Sequence, residues 1–101
     1  MFYFCEAFLS DPMPVKDKDE LTAIHDEHVR YIAAGAERGV VVFGGPKKAN
    51  GGVVLIKADS IEGCQAFLAE DPMLKAGAQR YDITEFQIIE HNPCLDPLLA
   101  E

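Results

Sequence analysis

The chain has no tryptophan, three cysteines, and nine Lys and Arg residues against seventeen Asp and Glu. Each shortage closes a class of function. A formal net charge of -8 argues against a phosphate-backbone partner, because nucleic-acid binders gather Lys and Arg onto one face. The one locally basic stretch is Pro46-Lys47-Lys48, and two lysines make no patch. Anionic membranes repel such a surface as well. No stretch approaches the roughly 20 apolar residues a membrane helix needs. The apolar opening, residues 1–9, lacks a basic flank and is interrupted by Glu6, so it does not read as a signal peptide. Cys5, Cys64 and Cys94 are odd in number, distant in sequence and without a C-x-x-C. Three reduced thiols in a cytoplasmic protein are the expectation. No Gly-rich loop opens a helix, and Gly44-Gly45-Pro46 leads from a strand into a turn. No organic cofactor is therefore expected.

What remains is an ordinary globular composition, 49% apolar and 26% charged in 101 residues. That is one domain, residues 1–101, with about 92–101 as a C-terminal tail. Residues 2–9 read as a strand covered on both faces. Asp17 and Glu20 have capping-box spacing, and a helix is expected from about 19 to 38, stopped by Gly39. Its apolar stripe is Leu21, Ile24, Tyr31 and Ile32. Residues 40–45 and 53–58 read as strands joined through Asn50-Gly51. Asp59 or Ser60 caps a second helix with Ile61, Cys64, Phe67 and Leu68 inward. Asp71-Pro72 opens a short turn of helix closed by Gly77. Residues 81–91 read as the last strand. The order βαββαβ predicts an α+β fold: a ferredoxin-like antiparallel sheet with two helices on one face. The strands are apolar at both parities, so the uncovered face is expected to meet a second copy in a homodimer.

His28 interrupts the apolar stripe of the first helix. An imidazole there is either a satisfied structural histidine or a working one, and in both cases it needs a partner for its N–H. Asp71, at the far end of the second helix on the same side of the sheet, is the candidate. Asp before Pro is also simply a good N-cap, and the two roles are compatible. A His held by a carboxylate is a tuned base near neutral pH. His25 lies three residues before His28; that spacing fits a metal pair, but no third ligand is evident, so no metal is expected. His91 reads as a solvent-exposed strand end.

The chain resembles the YciI-like family, within the muconolactone-isomerase-like group of dimeric α+β barrels, over about residues 1–89. The run HVRYIAAGAERGVVVFGGP carries the family's helix histidine, His28, and its Gly-Pro ending, Gly45-Pro46. The run DPMLKAGAQRYDITEF carries the second signature, Asp71-Pro72 and Ala76-Gly77. The resemblance implies a His28–Asp71 catalytic pair in a pocket between sheet and helices, with His25, Gly45, Pro46 and Met73 on the ligand side. It also implies a dimer built by stacking two sheets into an α+β barrel. One branch of the family eliminates chloride from a chlorinated hydroxyhydroquinone, and related barrels isomerise lactones. Members often carry Arg where this chain has His25 and an aromatic residue where it has Met73. An anion contact and a ring at the pocket wall are expected to be missing. The resulting expectation is an acid–base lyase or isomerase acting on a small carbonyl or phenolic compound. The alternative is a non-catalytic small-ligand or accessory module on the same fold. Lys47, Lys48 or Arg80 reaching the pocket would point to an anionic substrate.

Overall fold

The computed structural model describes residues 1–100. Four strands form one antiparallel sheet in the order β2-β3-β1-β4: β1 (Phe2–Leu9), β2 (Val41–Pro46), β3 (Gly52–Lys57) and β4 (Gln79–Phe86). Helix α1 (Lys18–Glu37) links β1 to β2; α2 (Ile61–Ala69) and the single turn α3 (Pro72–Lys75) link β3 to β4. The βαββαβ order and the ferredoxin-like arrangement expected from the pattern are both present.

Local chemistry explains the boundaries. The Asp17 carboxylate accepts from the Asp19 and Glu20 amides and starts α1. Gly39, at φ 81°, ends it in the left-handed region that side chains avoid. Ser60, not Asp59, caps α2 by accepting from the Gly63 amide. The last strand is shorter than expected: β4 pairs from Gln79, opposite Leu9, to Phe86, opposite Phe2. Past Phe86 its partner strand has run out, so residues 87–91 have no ladder to join, whatever their β-propensity. The tail forms a 3-10 turn (Pro93–Leu95) and a short helix (Asp96–Leu99), and the Ala100 carbonyl accepts from Lys57 Nζ. His91 ends in a contact with Asp96, 2.6 Å away.

Both helices lie on one face of the sheet. Tyr3, Cys5, Val54 and Ile56 point from the strands into a core completed by Cys64 and Leu68 of α2. The distant cysteines of the sequence prove to be neighbours here, with Cys5 and Cys64 sulfurs 3.7 Å apart and all three thiols free. Helix α1 docks on α2 through Tyr31, which stacks on Phe67 at 4.9 Å and donates to its carbonyl oxygen. Gly35 makes this approach possible: a Cβ there would lie 2.7 Å from the Phe67 ring and 3.0 Å from Val41.

The expected α+β barrel is not what the chain builds. Among the described residues the sheet is a single open layer whose edges, β2 and β4, pair with no further strand. The expected barrel called for two such sheets stacked in a dimer, and the chain by itself supplies one open four-stranded layer, too few strands to enclose an interior. The face away from the helices carries Phe4, Phe43 and Phe86, which are 37%, 52% and 38% exposed.

Candidate functional site

His28 sits midway along α1, on the face turned toward the sheet, between the half-buried Ile24 and Ile32. From there Nδ1 reaches across to Asp71 Oδ1 at 2.7 Å. The helix supplies a rigid base for the ring, and the Tyr31–Phe67 contact next to it fixes α1 against the element that delivers Asp71.

Asp71 is fully buried and its carboxylate makes four hydrogen bonds. Oδ1 accepts from the Met73 amide at 3.1 Å as well as from His28. Oδ2 accepts from Gln79 Nε2 at 3.0 Å and from the Tyr81 hydroxyl at 2.6 Å. Asp71 therefore caps α3 and holds His28 at once, through the same oxygen. Neither oxygen is spare, since strand β4 occupies the second. Gln79 and Tyr81 were not singled out in the sequence. The signal was present as their i, i+2 spacing, which puts both on one face of a strand, but nothing in a linear pattern says that this face meets Asp71.

Burial by itself would raise the Asp71 carboxyl; the hydrogen bonds from His28, Tyr81 and the Met73 amide outweigh it and hold the pKa below the ordinary carboxylate range. Burial, and then the bond to this carboxylate, push the Tyr81 phenol far up, so it stays a donor. An ionised Asp71 can only accept, so His28 Nδ1 carries the hydrogen. In the neutral ring the lone pair is then on Nε2. The ring is 21% exposed on its side chain, and it lines a cleft of about 750 Å³ between α1 and the β2–β3 half of the sheet. Nε2 makes no hydrogen bond to any described residue.

The other expected site residues also line this cleft: His25, Gly45, Pro46 and the buried Met73. The His25 and His28 rings are 5.7 Å apart. Among the described residues, no group of three His, Cys, Asp or Glu side chains is placed to hold a metal. None of the basic residues considered for the site, Lys47, Lys48 and Arg80, is among the described residues that line the cleft. Lys47 pairs with Glu6 at 3.1 Å and covers the Phe8 ring; Arg80 covers the same ring and pairs with Asp82. Phe8 alternates with the core-facing Ala7 along β1, so these charges belong to the opposite face of the sheet. No described helix is long and apolar enough to cross a membrane.

No curated protein gives a significant sequence match. Among solved structures, the chain is similar to a 5-chloro-2-hydroxyhydroquinone dehydrochlorinase from Burkholderia phenoliruptrix, determined with 2,5-dihydroxybenzoquinone. The TM-score is 0.62 at 16% identity, over 86% of this chain and 94% of the other. At that identity the likeness speaks for the fold. The family itself follows from a match along the sequence that takes in both the helix histidine and the Asp-Pro turn: with residues 1–87 fitting the YCII-related domain, the chain belongs to the YCII family.

Proposed function

We propose that the chain is an acid–base enzyme of the lyase or isomerase kind, acting on a small carbonyl or phenolic compound. One observation carries this reading: the fully buried Asp71 carboxylate lies 2.7 Å from His28 Nδ1, and the same His28 ring lines the cleft. In this arrangement Nε2 removes a proton from bound substrate, and the imidazolium so formed stays paired with Asp71. The proton can return at a second position, which is isomerisation, or its loss can accompany departure of a leaving group, which is elimination. The dehydrochlorinase of similar fold handles a substituted hydroquinone, which agrees with chemistry at a small ring. No step calls for an organic cofactor.

The test is a panel of enolisable ketones, lactones and phenols in deuterated buffer, with exchange at acidic C–H positions followed by NMR. Exchange is expected with the parent protein and not with His28→Ala. His25→Ala should only weaken it, since His25 touches the cleft but has no carboxylate behind it. A ligand that binds at the cleft without any exchange across the panel would make the protein a binding module. Equal loss from both substitutions would point to a shared metal, visible by elemental analysis.

The open sheet face supports a homodimer. Phe4, Phe43 and Phe86 lie exposed there, and charges of both signs, Glu6, Lys47, Arg80 and Asp82, accompany them. A two-fold copy can oppose unlike charges while covering the rings, at about 25 cal/mol per Å² of apolar surface before association costs. Sedimentation at micromolar concentration should give a dimer, and Phe4→Asp a monomer. A monomeric parent would end this reading.

A further inference from the structure

Resting on the reading of the cleft as a substrate site, we infer that it selects uncharged substrates and turns anionic ones away. No Lys or Arg is among the residues that line it. Its walls are aliphatic: Val29, Ile32 and Ala33 from α1, Val41 and Val54 from the sheet. The cations on or beside the lining strands are engaged elsewhere: Lys47 and Arg80 cover Phe8 across the sheet, and Lys57 donates to the Ala100 carbonyl. Arg80 sits on β4 between Gln79 and Tyr81, which line the cleft, so its side chain leaves on the other side of the sheet. The one permanent charge at the back of the cleft is Asp71, and it is negative. Its own bonds already occupy every donor that surrounds it: His28, Met73, Gln79 and Tyr81. His25, the remaining titratable wall group, is an imidazole and not a fixed cation. The whole chain adds a net charge of -8.

A carboxylate or phosphate entering this cleft would give up water and receive no counter-charge, which is costly. A neutral phenol or ketone gives up little. The proton ledger then closes inside the site. The substrate C–H or O–H bond breaks, its electron pair stays on the substrate as an enolate or phenolate, and a new N–H bond forms at Nε2. The negative charge that appears is met by the imidazolium created in the same step. A substrate already anionic would need a second positive group, and no Lys or Arg is among the described residues that line the cleft.

The test compares 4-ethylphenol with 4-ethylbenzoate at neutral pH, matched in shape and different in charge. Binding is followed through the His28 ring signals of the full chain. The phenol should shift them saturably, and the carboxylate should bind at least about tenfold more weakly, the equivalent of about 1.4 kcal/mol. Ala33→Lys sets a cation on the helix wall of the cleft, and should raise the ratio of carboxylate to phenol binding several-fold. Equal binding of the two probes to the parent overturns the charge selection and leaves the acid–base reading standing. So does an unchanged ratio in a folded Ala33→Lys variant. Failure of the phenol to move the His28 signals overturns the selection as well, while the deuterium-exchange panel decides separately whether His28 is a base.

Discussion

Asp71→Asn should keep the fold and cost two to four orders of magnitude in any proton-transfer activity, roughly the range attributed to a positioned acid–base group. Asn caps a helix about as well as Asp, so the Met73 amide keeps its acceptor. The amide oxygen can also continue to accept from His28 Nδ1, which preserves the tautomer. At the Oδ2 position a donor replaces an acceptor. The Tyr81 hydroxyl can rotate to accept, and the Gln79 amide can turn over to present its oxygen. The structure therefore absorbs the change by rewiring. What it cannot replace is the charge: the imidazolium loses the anion 2.7 Å away. The proton transferred to the ring is then held without its counter-charge, and the loss is read directly as a slower rate of substrate C–H exchange at a fixed pH. Equal exchange rates in the two proteins would reduce Asp71 to a helix cap.

Asp71→Ala should be far more damaging to stability, by about 3–5 kcal/mol. It strands the Tyr81 hydroxyl, the Gln79 amide, the Met73 N–H and the His28 N–H in a place with no access to water for Asp71 itself, which is 0% exposed. At roughly 4–8 °C of melting temperature per kcal/mol for a domain of this size, the loss is easily seen by calorimetry. The pH dependence provides an independent measure. The folded-state pKa of Asp71 is depressed, so below neutrality the unfolded chain takes the proton first. Stability from this group is complete above the unfolded Asp value of about 3.9 and fades as pH falls through the lower folded value. The gap in melting temperature between the parent and Asp71→Asn should therefore be widest near neutral pH and narrow in strong acid. A gap independent of pH would mean that the carboxylate charge contributes nothing to the fold.

Much of the frame was legible in the residues. The cap at Asp17, the stop at Gly39, the Asn50-Gly51 turn and the Asp71-Pro72 start are local rules, decided within a few residues, and the chain obeys them. The one misjudged element was the last strand, and its end at Phe86 is set by where β1 begins, 80-odd residues earlier. The barrel, which the family resemblance implied, failed for a related reason: a resemblance in motifs and a face in need of cover do not make the sheet close. His28 and Asp71 stood out singly, because a histidine inside an apolar stripe and an aspartate before proline are each unusual in place.

What a linear pattern does not contain is the third dimension of the site. The sequence alone determined the order of elements, the absence of a basic surface and the two groups worth pairing. Only the packed structure decided that one Asp71 oxygen serves both cap and histidine, and that Gln79 and Tyr81 fill the other. It also decided that Lys47 and Arg80 leave the cleft for Phe8. Helix and turn signals act over one turn of chain. Hydrogen bonds such as His28–Asp71 join residues 43 apart, and the side of the sheet on which a lysine ends depends on register, which only the assembled strands set.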